Sequence, residues 1–397
     1  MGDRYRNCIA MLPLLIVCLC LREVTVIARL VQIRHPVRAN SRVTFLAVGD
    51  WGRKGGYNQS AVARRVTESE QYTQYITLFK CGMQMGEVGA KLGIDFVIST
   101  GDNFYKDGLS GVNDSAFKLS FTNIYSARSL QKPWYTSKSS RVPFMAISND
   151  HELFLNIFLV RLIYIVLGNH DYHGDTEAQL SPLLKKRDKR WNCYRSYIVR
   201  AGTISLTTLS FFPLFLGVFY TALVEKTLPY IACSIGLLHI FFVDTNPFVN
   251  KYFINRPTNK FNWKGILPRN RYVSTLLKDL NTALKTSNAT WKIVVGHHPI
   301  RSIGKRGDTI ELLQQLLPIL QSGIVCSPIQ FLTSGGGSRA WGNITHYERY
   351  KKNLKFYYDG QGFISVQLTR REANITFYDV FGKTLHSFSL KKYIRSA

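Results

Sequence analysis

Four side chains of the kinds that bind hard metal ions each follow a glycine in this sequence. They are Asp50, Asp102, Asn169 and His297. All but Asn169 come after apolar, β-branched runs, which are typical of buried strands. Such a strand delivers its ligand from the turn at its carboxyl end, the edge where open α/β sheets carry their active sites. The pattern therefore predicts strand-end turns that converge on a site for two metal ions.

The donor atoms differ in the ions that they prefer. Tyr105 lies shortly after Asp102 and adds a phenolate oxygen. Carboxylate and phenolate oxygens suit a hard Fe(III) ion, whereas a carboxylate shared with an amide oxygen and an imidazole suits Zn(II), Mn(II) or Fe(II). Two ions roughly 3.5–4 Å apart can convert bound water to hydroxide and hold both oxygens of an in-line displacement at phosphorus. These donors therefore indicate hydrolysis of a phosphate ester.

Taken in order, the four motifs match those of the metallophosphoesterases, and Tyr105 narrows the match to the purple acid phosphatases. The chain resembles the small plant-type members, which are related to the tartrate-resistant enzymes of animals. Further segments carry this resemblance, namely 57–60, 177–182, 243–248 and 357–362. The resemblance implies an α/β fold, a four-layer sandwich in which α-helices flank two mixed β-sheets, over one domain at 42–392.

The resemblance also implies a role for each matching residue. Asp50 and Tyr105 would bind Fe(III), Asp102 would bridge the two ions, and Asn169 and His297 would bind a divalent Zn, Mn or Fe ion.

Two further histidines would serve the substrate. The resemblance implies that His170 and His298 contact the phosphate and that His170 assists the leaving group. The implied activity is an acid phosphatase that hydrolyses phosphate monoesters with a metal-bound hydroxide.

One ligand block of that family is absent from this chain. The family completes its site with a Gly-His-Asp-His block, whose histidines bind one metal each. Here the sequence passes from Gly323 to Gln330 without it, and His346 and His386, which follow, form no His-x-His pair. Arg306 stands where the family commonly has a histidine, and a guanidinium holds phosphate but does not shuttle protons. The alternative function is therefore a catalytically impaired, phosphatase-like protein that acts by binding or is tethered to a membrane.

Three segments interrupt the family pattern, at 65–83, 137–165 and 203–235. Together with the absent block, they indicate retained introns and a skipped exon in the gene model, and the competing interpretation is a genuinely diverged protein. The third segment begins with an uncharged run long enough to span a bilayer. A membrane hairpin is thus possible, but Pro213 inside the run, and its position between two strands of one sheet, favour a non-native insert.

The N-terminus and the charge indicate where the protein acts. Residues 1–30 place Arg4 and Arg6 ahead of an apolar stretch, as in a secretory signal peptide, and predict a secreted or vacuolar protein. Five glycosylation sequons agree with this, at Asn58, Asn113, Asn288, Asn343 and Asn374. The net charge is +26, yet the basic residues are dispersed and no nucleic-acid-binding motif accompanies them. We therefore expect phosphomonoester substrates and no nucleic acid, whereas the sequence leaves the oligomeric state open.

Overall fold

The computed structural model describes residues 30–35, 42–57, 84–131, 164–202, 236–254, 260–323, 328–340, 342 and 344–392. The suspected inserts at 65–83 and 203–235 lie outside these residues, as do 137–163 of the second insert and 1–29 of the predicted signal. The sequons at Asn58 and Asn343 also lie outside them.

Ten strands form two mixed sheets within the described part of the chain. The strands are β1 (Val31–His35), β2 (Val43–Val48), β3 (Phe96–Ser99), β4 (Tyr164–Ile165), β5 (Tyr197–Ala201), β6 (Leu238–Phe242), β7 (Trp291–Val295), β8 (Gly362–Leu368), β9 (Glu372–Asp379) and β10 (Thr384–Lys391). The first sheet has the order β10-β9-β8-β2-β3-β4, and the second has the order β1-β5-β6-β7. Each sheet contains both parallel and antiparallel pairs, which confirms the predicted mixed sheets.

Helices flank the sheets, as predicted. They are α1 (Gln84–Leu92), α2 (Ser115–Phe117), α3 (Thr176–Leu180), α4 (Pro182–Arg187), α5 (Arg269–Thr286), α6 (Ile310–Gln315), α7 (Leu317–Gly323) and α8 (Tyr347–Tyr350). Single helical turns lie at Lys118–Thr122, Arg128–Leu130, Asp171–His173, Asn246–Phe248 and Asn250–Tyr252. None of the helices in the described ranges is both long enough and apolar enough to cross a membrane.

The two sheets share one apolar core. Along β5, Tyr197 and Val199 point into the cluster that also contains Phe45 of β2. Ile198, between them, points to the other face and joins a second cluster with Leu280 of α5. This alternation follows from the two-residue period of a strand. The second sheet is therefore buried on both faces, between the first sheet and the α5–α7 layer.

Strand β1 lies before residue 42, where the sequence placed the start of the domain. It pairs in parallel with β5 from Val31 to His35. The folded domain thus includes a strand that directly follows the predicted signal segment.

The α5–α7 layer is tied to the sheet by one lysine. Lys292 of β7 donates through Nζ to the carbonyl of Leu284 at 2.9 Å and to the carbonyl of Gly323 at 3.1 Å. Its ammonium group therefore satisfies carbonyls at the C-terminal ends of α5 and α7, where positive charge is favourable.

Candidate metal centre

Four of the five predicted ligands lie on turns that follow four different strands. Asp50 follows β2, Asp102 follows β3, Asn169 follows the short β4, and His297 follows β7. Strands β2, β3 and β4 are parallel neighbours in the first sheet, whereas β7 belongs to the second. The centre is therefore assembled from the carboxyl ends of strands in both sheets.

The backbone at these turns is folded tightly. Asp50 and Asp102 have φ angles of 57° and 52°, in the left-handed region that few non-glycine residues adopt. The Asp50 N–H donates to the carbonyl of Gly101 at 3.0 Å, which joins the two turns. A Cβ on Gly101 would lie 2.6 Å from Nδ1 of His297. Glycine before Asp102 therefore leaves the space that His297 occupies.

Three of the side chains converge on a small volume. Asp50, Asp102 and His297 each offer a ligand atom, and these atoms lie within 4.8 Å of one another. His297 Nε2 lies 3.4 Å from Oδ1 of Asp102. Nδ1 of His297 lies 3.1 Å from the carbonyl of Thr100, which accepts its proton, so that Nε2 is the ring nitrogen that can bind a metal in place of its own proton. The imidazole is therefore oriented as a metal ligand.

Tyr105 joins the two carboxylates. Its hydroxyl lies 2.7 Å from Oδ2 of Asp102 and also contacts Oδ1 of Asp50. A phenol has one proton, so it cannot donate to both carboxylates at once. These three oxygens therefore need either a proton on one carboxylate or a cation between them.

Asn169 carries a buried acceptor. The residue is 7% exposed, and its Oδ1 has no hydrogen-bond partner among the described residues. An unsatisfied buried amide oxygen is costly, and a cation would satisfy it. The turn also wraps around Asp102, because the N–H of His170 donates to Oδ1 of Asp102 at 2.9 Å.

The charges of the centre shift its protonation equilibria. Burial, helped by the negative charge of Asp102, raises the pKa of Asp50 to about 6. Burial opposes ionisation of Asp102 as well, but the positive charges of His297 and His170 outweigh it and lower that pKa. Burial and the two carboxylates raise the pKa of Tyr105. A cation is therefore required for Tyr105 to bind as a phenolate.

The two predicted substrate histidines have different surroundings. The ring of His170 lies 4.5 Å from that of Tyr105, and its Nδ1 lies 2.5 Å from the carbonyl of Lys106. His298 is enclosed, with Nδ1 3.0 Å from Thr245 Oγ1 and Nε2 2.8 Å from the Tyr252 hydroxyl. Burial, followed by the charge of His297, holds the pKa of His298 well below its usual range. His170 thus borders the centre, whereas both ring nitrogens of His298 face protein groups.

Sequence reasoning did not assign two contacts of the centre. The guanidinium carbon of Arg53 lies 3.5 Å from the ring centroid of Tyr105. A Cβ on Gly335 would lie 2.9 Å from Oδ2 of Asp50, and Ser338 donates to the carbonyl of Asp50. The available signals were the position of Arg53 next to the Asp50 motif and the glycine-rich run at 334–338. Arg306, which the sequence singled out, is exposed, and its charge lowers the pKa of Asp50.

The residues present fit a metal ion. The donor set combines two carboxylates, a phenol, an amide oxygen with no other partner and an oriented imidazole. Divided between two ions in the way that the resemblance implies, it offers three protein ligands to each, with Asp102 counted twice. The centre therefore has ligands for both metal positions, although each position is short of one imidazole.

Comparisons with known proteins identify the family to which the chain belongs. The family model described as calcineurin-like phosphoesterase matches residues 43–327. Purple acid phosphatase 3 of Arabidopsis thaliana is 43% identical over 90% of this chain and 80% of its own. Human tartrate-resistant acid phosphatase type 5 is 25% identical over 90% of this chain and 93% of its own.

Among solved structures, the fold is similar to that of GAP50, described as the anchor in the inner membrane complex of Plasmodium. The TM-score is 0.53 with 20% identity, over 89% of this chain and 90% of that one. The chain is therefore a member of the purple acid phosphatase family, which is a family of acid phosphatases with a dinuclear metal site.

Proposed function

We propose that this chain hydrolyses phosphate monoesters at an Fe(III)–M(II) centre, where M is Zn, Mn or Fe. Asp50 and Tyr105 hold the ferric ion, Asn169 and His297 hold the divalent ion, and Asp102 binds both. The observation that carries the proposal is the convergence of Asp50, Asp102 and His297 within 4.8 Å in a purple acid phosphatase.

The residues around the centre have separate roles in the proposed reaction. When bound, the ions supply positive charge for the phosphoryl oxygens and acidify water. His170 lies beside Tyr105 with Nδ1 against the Lys106 carbonyl, which orients the ring. We assign its Nε2 to the leaving-group oxygen, to which it gives a proton. Arg306 and Arg53 add positive charge near Asp50 and Tyr105, where a phosphate dianion would approach.

Hydrolysis of glycerol 2-phosphate by the iron- and zinc-loaded chain at acid pH tests the proposal, because its alkoxide leaving group depends on a proton. We expect His170→Asn to lower kcat by about 10²–10⁴-fold, because proton transfer to the leaving group is lost. His386→Asn is the matched control, since His386 lies on β10, stacks on Phe356 and does not belong to the ligand group of the described residues. A metal-loaded parent without turnover, or equal turnover in both variants, contradicts the proposal.

A second candidate function rests on the absent His-x-His block. In that case the chain binds phosphate esters without turning them over, as a secreted or membrane-tethered protein. Calorimetry with inorganic phosphate separates the two functions. Binding that Asp102→Asn abolishes, together with no ester hydrolysis by the metal-loaded parent, would support the binding protein.

We also propose that the chain enters the secretory pathway and is secreted or vacuolar. The apolar N-terminal segment and the sequons support this, and the sequons at Asn113 and Asn288 are exposed in the fold. An endoglycosidase shift in electrophoretic mobility of the expressed protein tests it. No shift, with the protein retained in the cytosol, would contradict it.

Sequencing the transcript across the codons for Gly323 to Gln330 tests the proposed exon loss. A continuous transcript that lacks the Gly-His-Asp-His block would exclude it.

A further inference from the structure

Two pairs of the converging ligand atoms have the spacing of one coordination sphere. Ligands about 2.1 Å from a single ion lie about 3.0 Å apart in an octahedral site and about 3.4 Å apart in a tetrahedral site. Nε2 of His297 lies 3.4 Å from Asp102 Oδ1, and the Tyr105 hydroxyl lies 2.7 Å from Asp102 Oδ2. Asp50, Asp102 and His297 together lie within 4.8 Å. Small side-chain adjustments would therefore allow one ion to bind all three.

The number of ligands also favours one ion. Shared between two ions, the donors give each position three protein ligands. Offered to one ion, Asp50, Asp102 and His297 are joined by Tyr105 or by the partnerless oxygen of Asn169. Four protein ligands complete a tetrahedral site, whereas three leave it open. A single ion therefore gains more from this chain than either of two ions does.

The other histidines of the C-terminal region do not supply the missing imidazoles. His346 lies against Gly307, where an added Cβ would be 3.0 Å from its Nε2. His386 stacks on Phe356 with ring centroids 4.8 Å apart. Among the described residues, the acidic and imidazole ligand group consists of Asp50, Asp102 and His297. The shortage of nitrogen ligands at the second ion is thus not made up elsewhere in the described fold.

We propose that this chain retains one metal ion tightly, bound jointly by Asp50, Asp102 and His297, and takes up a second ion only when metal is in excess. The inference rests on the metal centre of the proposed function. In excess metal the ligands divide between two ions as proposed above, and on dilution Asp50, Asp102 and His297 bind one ion together. We expect the second ion to half-saturate its site at a concentration about 100-fold higher than the first. Mutating a residue that merely hydrogen-bonds to a metal ligand already lowers metal affinity about 10–100-fold, and here the ligand itself is missing.

Zinc content measures this directly. The full chain is equilibrated with chelator-buffered Zn(II) over a range of free concentrations, and bound zinc is counted by mass spectrometry. We expect a plateau at one zinc per chain before a second step. His297→Ala should remove the first plateau, and Asp50→Asn should shift it, whereas His386→Ala should leave it in place. Circular dichroism of each variant shows whether it is folded, and Asp50→Asn keeps the test valid if His297→Ala does not fold.

The outcomes separate this inference from the proposed activity. Two ions that bind together in one step, or no ion at any concentration, would overturn it. A chain that retains one zinc but hydrolyses no ester, even in excess metal, supports the inference and contradicts the proposed phosphatase activity. Hydrolysis by a chain that retains two ions after dialysis supports the activity and overturns the single-ion site.

Discussion

At the scale of single residues, the buried carboxylate of Asp171 holds two ligand-bearing turns together. It accepts from the N–H of Gly168 at 2.8 Å and from the N–H groups of Asn103 and Phe104 at 3.0 and 3.1 Å. The side chain of Gln179 donates to it at 3.0 Å. Gly168 precedes Asn169, and Asn103 follows Asp102. One acceptor therefore sets the distance between two metal-binding turns.

We expect Asp171→Asn to lower the free energy of unfolding by about 3 kcal/mol, because an amide NH₂ would face backbone donors and leave some of them unsatisfied. Urea denaturation measures this. Asp175→Asn is the matched control. Asp175 caps α3 by accepting from the N–H of Ala178 at 3.2 Å, and asparagine caps as well as aspartate. Equal losses in the two variants would show that Asp171 has no special part in joining the turns.

At the scale of elements, the segment at 334–338 crosses the strand ends and closes one side of the centre. Ser334 donates to the carbonyl of Ala47 at 3.1 Å, and the N–H of Gly337 donates to the carbonyl of Gly49 at 2.9 Å. Gly335 lies between these anchors, next to Asp50. The segment therefore cannot move away from Asp50 without breaking both hydrogen bonds.

We expect Gly335→Ala to weaken metal retention about tenfold, because its Cβ would press on Oδ2 of Asp50 from 2.9 Å and displace this ligand. Zinc retention after dialysis is the measurement. Gly111→Ala is the control, since no atom lies within 4 Å of the added Cβ there. If Gly335→Ala retains as much zinc as Gly111→Ala, the segment does not constrain Asp50.

Helix α5 is positioned by its apolar face. Val273, Leu276, Leu280 and Leu284 recur at helical spacing and are buried against the second sheet and the helices α6 and α7. Leu280 is fully buried. Leu277 is only partly buried beside the same cluster. The helix therefore offers two leucines of different burial in one environment.

We expect Leu280→Ala to cost about 2–4 kcal/mol of unfolding free energy, from lost burial and the cavity left behind. Leu277→Ala should cost less than half as much. Chemical denaturation of both variants gives the comparison. Similar costs would mean that the layer packs loosely around Leu280.

At the scale of the whole molecule, two buried histidines make the fold sensitive to acid. Burial lowers the pKa of His35 from 6.5 to about 4, and burial followed by the charge of Arg200 lowers that of His239 to about 4. The unfolded chain therefore binds more protons than the folded one between these pH values. This stabilisation is complete above pH 6.5 and is lost as the pH falls towards 4. The folded state of this acid phosphatase is therefore less stable at acid pH, where acid phosphatases act, than at neutral pH.

We expect His239→Asn to remove about 2 kcal/mol of the stability difference between pH 7 and pH 5, because asparagine does not titrate there. Denaturation of parent and variant at both pH values measures it. The pH 7 values serve as the control for any general effect of the substitution on packing. Parallel losses on acidification in parent and variant would show that His239 is not part of the acid response.

Much of the fold and centre could be predicted because the signals are local. Asp50, Asp102 and His297 could be placed at strand ends from the apolar runs and glycines beside them, since strand period and turn chemistry are written in neighbouring residues. The short β4 before Asn169 has only two residues, so its run was too brief to stand out. The role of Gly335 could not be read in this way, because it depends on a contact with a residue far away in the chain.

The sequence by itself determined the ligand types, their order along the chain and the missing His-x-His block, because these are properties of residue identity and spacing. Only the tertiary structure decided that β1 joins the second sheet, that the Tyr105 hydroxyl lies between two carboxylates, and that Asp171 joins two turns. These features arise when distant strands pack into one core, and that pairing is selected by burial and hydrogen bonding over the whole fold.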